Sequence, residues 1–410
     1  MQAVSGAGDK QIGSTSMGMW GRRGRGVVMA AAAVMLIAGC SGGGDSSTGA
    51  GSTSSSTPPP PKPVTLTLAL NDGAADVSPG LPVIATAADG KLSEVKLTNA
   101  DGKVVEGKMN PESTQWNNTE PLGYGKTYKL SATATGEDGK PQTKESSFTT
   151  VKPRTLTYVS TNPQDGSTIG VGQPLAFYFD EPVADKVAAE KMLEITTEPK
   201  VEGAFYWFNK KEVHWRPEKF WAPGTKVTMH VKVYGKTVGD GIYGQEDRII
   251  TTTVGDSMIY EADGGTHQVT VKKNGQVIRT MPTSMGNAAN TTPTGTYVLM
   301  EKHDRMIMDS TTYGLALENG GYKTPVSWAY RMSNSGIFFH QAEWSVGDQG
   351  RRNVSHGCLN LSPENAKWVY DNSNQGDVVI VTNSGGPALE PWDGFGDWQV
   401  PWNQWVQGNR

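Results

Sequence analysis

From residue 64 onward the chain is a succession of short apolar–polar alternations broken by turn residues. Residues 64–70 (VTLTLAL) alternate and stop at Asn71-Asp72-Gly73, and residues 82–86, 93–98, 127–133 and 147–151 repeat the pattern with Gly, Asn and Asp between them. A period of two is that of a half-buried strand, and short strands at this spacing predict a β-sandwich of immunoglobulin-like shape. A second unit begins near Arg154 and echoes the first. Gly80-Leu81-Pro82-Val83 recurs as Gly172-Gln173-Pro174-Leu175, and Tyr124-Gly125-Lys126-Thr127-Tyr128 is echoed by Pro223-Gly224-Thr225-Lys226-Val227. Each unit closes on a Thr-rich strand, so two tandem sandwiches are predicted, at residues 64–152 and 153–254.

A third domain is predicted over residues 255–382. Residues 268–271 and 277–280 flank Asn274-Gly275, the dipeptide of a tight β-hairpin. Residues 301–322 (EKHDRMIMDSTTYGLALENGGY) form a polar, methionine-containing hairpin of the kind that folds over a cleft. Ile337-Phe338-Phe339 is an apolar run that predicts a buried strand ending at His340. Ser362 and Pro363 are suited to the N-cap and first position of one short helix over 364–372, and residues 377–382 (DVVIVT) make a closing strand. The tail, residues 383–410, carries Trp392, Phe395, Trp398, Trp402 and Trp405, too many aromatic rings to be left in water, and predicts a clasp on a neighbouring domain. The fold class is therefore mostly β. The cluster of residues 205–208 with His214 and Trp215 is either a ligand platform or, as such clusters more often are, core or an interdomain seam.

Composition agrees with this pattern and narrows the partners. Fifty glycines and 24 prolines favour strands and turns over helical bundles. A net charge of −4, with no basic face, argues against nucleic acid. Before residue 64 the chain reads differently. Arg22, Arg23 and Arg25 precede an apolar run at 27–37 that ends in Leu36-Ile37-Ala38-Gly39-Cys40, which resembles a bacterial lipobox. The expectation is a signal segment over 1–39, lipidation at Cys40, and a Gly/Ser/Pro tether over 40–63 that holds the rest off the outer face of the cytoplasmic membrane. An ordinary signal peptide with a chance cysteine is the alternative.

With Cys40 so committed, Cys358 has no intramolecular partner, and an unpaired thiol outside the cytoplasm needs a reason. It lies in Ser355-His356-Gly357-Cys358-Leu359-Asn360, fourteen residues after His340. A cysteine near a histidine is the minimum apparatus for thiol nucleophilic catalysis, since the imidazole can take the thiol proton. Gly357 lets a substrate approach the backbone and leaves neighbouring N–H groups to face an oxyanion. A buried inert cysteine is one alternative. Zinc held by Cys358, His356 and His340 is another, but no further ligand stands at suitable spacing, so no metal and no cofactor is called for.

His340, fourteen residues, then Ser-His-Gly-Cys-Leu-Asn resembles the signature of the L,D-transpeptidases, the YkuD-like catalytic domain. Ser284-Met285-Gly286 and Thr292-Pro293-Thr294-Gly295 match that family's upstream motifs, and the whole layout resembles its mycobacterial lipoprotein members. The resemblance implies a β-sandwich catalytic domain that forms 3→3 cross-links between diaminopimelate residues of peptidoglycan stem peptides, with Cys358 as nucleophile and His340 as base. It implies an oxyanion site around His356, Gly357 and Cys358, and substrate contacts at Tyr322, Ser335, Gly336, Asn360 and Trp344, with Ser355 beside them. It also implies acylation of Cys358 by carbapenems. Gln341 stands where mycobacterial relatives carry serine; a backbone carbonyl there can orient the imidazole whatever the side chain. Asp304 and Asp309 read as solvated lid residues. Two further functions are open: an L,D-carboxypeptidase using water as acceptor, and a non-catalytic, lipid-anchored cell-wall binding protein.

Overall fold

The structure is a computed structural model that describes residues 60–410, Leu315 excepted; the expected signal segment, Cys40 and the tether as far as residue 59 lie outside the described residues. Residues 65–150 form two four-stranded sheets face to face. One has the order Thr65–Leu68, Ile84–Ala88, Gln115–Asn118, Gly107–Met109, and the other Ala74–Val77, Pro141–Thr150, Thr127–Gly136, Gly90–Asn99. Alternate residues of Thr127–Gly136 point inward, so Tyr128, Leu130, Ala132 and Ala134 join Leu66, Leu97, Trp116 and Phe148 in one core. The second sandwich repeats the plan around Phe177, Trp207, Val227 and Met229, with a small extra sheet of three strands.

The third unit is numbered here from its own first strand. Met258–Asp263 (β1), Gln268–Lys273 (β2), Gln276–Pro282 (β3), Gly295–Val298 (β4) and Val378–Thr382 (β9) make a sheet of order β3-β2-β1-β9-β4. Lys302–Asp309 (β5), Lys323–Arg331 (β6), Phe338–Gln341 (β7) and Leu359–Leu361 (β8) make a second sheet in that order, backed by the helix Pro363–Asn372 (α1). Between the sheets lie Tyr260, Val271, Met281, Tyr297, Phe339, Leu359 and Val379. The β2–β3 turn is Asn274-Gly275, with φ of 50° and 81°, the left-handed pair that matches the twist of a hairpin. Ser362 Oγ accepts from Asn365 N–H at 3.3 Å and sets the start of α1.

The third unit is seated on the second sandwich through backbone contacts. Gly170 N–H donates to Gln375 O at 2.7 Å and Gly172 N–H to Gly376 O at 2.8 Å. A Cβ on Gly170 would stand 2.1 Å from Asp377 N, so only glycine permits this approach. The tail then runs back over the second sandwich. Phe395 packs on Ala176 and Val298, Trp398 Nε1 donates to Gly172 O at 2.8 Å, and Trp405 Nε1 donates to Ala204 O at 2.8 Å.

This path assigns the aromatic cluster at 205–215 to a seam. Tyr206 stacks on Trp405 at 4.9 Å, and His214 is buried with Nδ1 2.8 Å from Asp397 Oδ1. Arg216 lies among Trp398, Trp402 and Trp405, 4.3 Å from the ring of Trp405. Burial acts to lower the pKa of His214, but Asp397 and Glu212 outweigh it and lift it to about 9. One tail tryptophan does not join the clasp: Trp392 is 66% exposed. The lid also differs from the expectation. Residues 301–322 supply only its first strand and two 3₁₀ turns; its second strand is β6, whose Thr-Pro-Val alternation continues past Tyr322.

Candidate active site

The site is organised by two parallel strand ends. In the β7–β8 pair Phe339 stands opposite Leu359 and His340 opposite Asn360. Side chains two apart share a face, so Cys358, just ahead of β8, points to the side occupied by Asn360 and His340. His340, Cys358, Asn360, Ser355, His356, Trp344 and Tyr322 all line one cavity of about 230 Å³. Met308 and Thr324 of the lid, with Val326, Ser345, Asp348 and Val354, complete its wall.

Local hydrogen bonds hold the loop that carries the cysteine. Ser284 Oγ donates to Arg352 O at 2.8 Å and accepts from Val354 N–H at 3.0 Å. Asn353 Oδ1 accepts from Met285 N–H at 3.0 Å. Thr292 Oγ1 donates to Gly357 O at 2.6 Å while accepting from Gly286 N–H at 3.0 Å. The motifs 284–286 and 292–295 therefore support the loop from behind. Gly357 has φ +122° and a Cβ there would meet Ile337 Cδ1 at 2.8 Å, so the turn into Cys358 requires glycine.

The N–H of Gly357 is not available to an oxyanion: it donates to Ser355 Oγ at 3.0 Å, and that hydroxyl donates to Cys358 O at 2.6 Å. Among the described residues the N–H groups of His356 and Cys358 have no such partner, which narrows the donor set expected from the sequence. Ser355 is thus a brace within the loop. Gly336 O receives the thiol of Cys358 at 3.4 Å. Ser335 does not line the cavity; its N–H and hydroxyl are both taken by Asp393 of the tail, at 2.7 and 2.5 Å. Tyr322 lies over His356 with ring centres 5.0 Å apart, and Trp344 lies 6.1 Å from His340, nearly parallel to it. Asp309 is on the lid's rim, paired with Lys323 at 2.8 Å, a partner that holds its carboxyl down at about 2.

His340 Nδ1 is 2.7 Å from Gln341 O. A carbonyl only accepts, so Nδ1 carries the proton and Nε2 is left as the basic nitrogen. The Gln341 side chain turns away to Glu343 at 2.8 Å. Burial pushes His340 down to about 4, against a smaller opposing pull from Gln341 O and Glu343. Burial likewise pushes the Cys358 thiol up to about 12, the Phe338 backbone and Arg331 offsetting only part of this. Met308, Val326, Ala329 and Phe338 form one buried cluster with Cys358 and cause that desolvation. Both shifts favour a neutral thiol and a neutral imidazole in the resting cavity.

Sequence reasoning did not find Asp348, Ser345 or Val326. Nothing in the local pattern of 343–354 says which side chains of an irregular loop turn inward. Thr292 was marked by its motif, and its buried hydrogen bond supplies the reason.

Residues 258–381 match the family model of the L,D-transpeptidase catalytic domain, and residues 74–237 match that of a bacterial Ig domain. L,D-transpeptidase 2 of Mycobacterium tuberculosis (strain CDC 1551 / Oshkosh) is 48% identical over 345 residues, 84% of this chain and 84% of its own length. L,D-transpeptidase 5 of Mycobacterium tuberculosis (strain ATCC 25618 / H37Rv) is 38% identical over 83% of this chain and 76% of its own. A solved structure of the LD transpeptidase LdtMt1 in complex with imipenem is 37% identical over 55% of this chain and 99% of that one, with a TM-score of 0.49. A β-sandwich enzyme with a buried cysteine–histidine pair is what fold and site define. The chain belongs to the L,D-transpeptidase family, enzymes of peptidoglycan cross-linking.

Proposed function

We propose that this enzyme forms 3→3 cross-links by acyl transfer through a thioester on Cys358. The observation that carries the reading is His340: its Nδ1 is committed to Gln341 O, which leaves Nε2 as a basic nitrogen in the cavity that holds the only described cysteine. In the first half Nε2 takes the thiol proton as the sulfur attacks the carbonyl between the third and fourth residues of a tetrapeptide stem. The N–H groups of Cys358 and His356 stabilise the oxyanion, each such donor being worth on the order of 10²–10³ in rate. The tetrahedral intermediate collapses, His340 returns the proton to the leaving amine, and D-Ala departs. In the second half the side-chain amine of an acceptor stem attacks the thioester, His340 takes its proton, and the thiolate leaves and is reprotonated from the imidazolium.

The test is mass spectrometry of products from purified tetrapeptide muropeptides. Cross-linked dimers with loss of D-Ala support the transpeptidase; tripeptides alone would assign the enzyme to hydrolysis, with water in place of the amine. The same thiol suits attack on the strained carbonyl of a carbapenem, which adds the inhibitor's mass to the wild type and not to Cys358→Ala. We further infer that Cys40 is lipidated and tethers the enzyme to the outer face of the cytoplasmic membrane, on the strength of Leu36-Ile37-Ala38-Gly39-Cys40 after an apolar run. Recovery of an unmodified peptide spanning Gly39-Cys40 from membrane-derived protein would overturn that assignment.

A further inference from the structure

The cavity contains one carboxylate that the acyl-transfer steps leave unused. Asp348 is the only acidic residue on its wall, and no lysine or arginine lines it among the described residues. The side chain is 22% exposed and its Oδ1 accepts from Arg352 Nε at 2.5 Å, one turn further along the same loop. Arg352 is 73% exposed and engages only Oδ1, so the pair is a weak surface one and Oδ2 has no partner among the described residues. The position of Asp348 is fixed from the catalytic strand. Asp348 N–H donates to Ser345 O at 2.9 Å, Ser345 Oγ accepts from Asn360 Nδ2 at 3.0 Å, and Asn360 faces His340 across β7 and β8.

We propose that Asp348 is a specificity-determining residue that recognises the side-chain ammonium of the donor stem. This rests on the transpeptidase reading above. The chemistry favours the donor over the acceptor. A carboxylate holds an ammonium in its charged form. An acceptor amine must lose its proton to attack the thioester, so such a neighbour opposes its reaction. The donor's own side-chain amine takes no part in the first half-reaction and can stay charged throughout. A charge-assisted contact in a partly enclosed cleft then selects stems with a free amine over stems whose amine is acylated.

The experiment compares a tetrapeptide donor bearing the free ammonium with its N-acetylated analogue, in wild type, Asp348→Asn and Arg352→Gln. D-Ala release is measured, with carbapenem acylation of Cys358 as a control for fold and thiol. In the wild type the free-amine donor should have the lower KM by roughly tenfold, a gap that narrows as salt rises. Asp348→Asn should erase the gap by raising KM for the free-amine donor alone, with kcat nearly unchanged. Arg352→Gln, which removes the competing cation, should widen it severalfold. Equal losses on both donors in Asp348→Asn, or a gap that Arg352→Gln leaves unmoved, would overturn the assignment and leave the transpeptidase reading standing. Failure of the wild type to release D-Ala from either donor, while its thiol is still acylated, would remove both.

Discussion

The protonation state of the resting pair can be tested directly by pH-dependent alkylation of Cys358. Burial under the lid puts the thiol at about 12, where an unburied cysteine stands at 9.0, so its thiolate fraction at neutral pH is about a thousandfold smaller. A more basic thiolate is a better nucleophile, and a Brønsted slope of about 0.4–0.5 returns roughly twentyfold. Alkylation by iodoacetamide should therefore run roughly fiftyfold slower than at an exposed cysteine, before any steric hindrance. His340 does not rescue it. Moving the proton from a thiol at about 12 to an imidazole at about 4 costs roughly 11 kcal/mol at 1.36 kcal/mol per tenfold. Attraction between the resulting charges returns less than this, about 4 kcal/mol even for a contact pair at an effective dielectric of ~20. The neutral pair remains favoured by several kcal/mol.

The alkylation rate should accordingly climb about tenfold per pH unit from pH 6 to 9 with no plateau, and His340→Ala should leave it nearly unchanged. Carbapenem acylation, in which Nε2 takes the proton during attack, should be nearly flat over the same range and fall by 10²–10⁴ in His340→Ala. Stopped-flow or quenched mass measurements of both reactions decide it. A plateau in alkylation near neutral pH that disappears in His340→Ala would mean a preformed thiolate–imidazolium pair, and the burial argument would be wrong.

Gln341→Ala should retain acylation within about tenfold of wild type, because Nδ1 of His340 meets the carbonyl of residue 341 and not its side chain; a loss as deep as that of His340→Ala in the same assay would refute this. His214 binds its proton more tightly when folded, at about 9 against an ordinary 6.5, so its stabilisation is fully present below pH 6.5 and is lost as pH rises through 9, roughly 3 kcal/mol in all. His340 works the other way: its folded value of about 4 means stability is present above pH 6.5 and lost as pH falls towards 4. Urea titrations across pH should show both limbs, and His214→Gln should flatten the alkaline one alone. Trp405→Ala removes a fully buried ring that stacks on Tyr206 and covers Arg216, and should cost about 3–5 kcal/mol in the second sandwich; a loss below about 1 kcal/mol in urea denaturation would show that the clasp is not a stabilising contact.

The sequence by itself determined whatever depends on neighbours along the chain. A period of two made the strands, Asn274-Gly275 made the hairpin, and Ser362-Pro363 started the helix, because these are properties of backbone geometry within a few residues. The motif around Cys358 pointed to the chemistry for a similar reason: the turn into the nucleophile needs Gly357 at positive φ. What required the tertiary structure was everything set by distance and burial. The side chains of Ser355 and Thr292 are spent on the loop's own backbone, which takes Gly357 N–H out of the oxyanion site, and no local pattern reports that. The lid's second strand begins just past Tyr322, where the polar run suggested an end, and its Val326 helps to bury the thiol. Trp392 and Trp405 are alike in the sequence, yet one is left in water and the other is sealed beneath Tyr206, because the tail's path over the second sandwich decides which ring meets a surface. Asp348 and Glu343 are both acids of one irregular loop, yet only Asp348 lines the cavity, on a backbone held by its N–H bond to Ser345 O and so by the strands behind it.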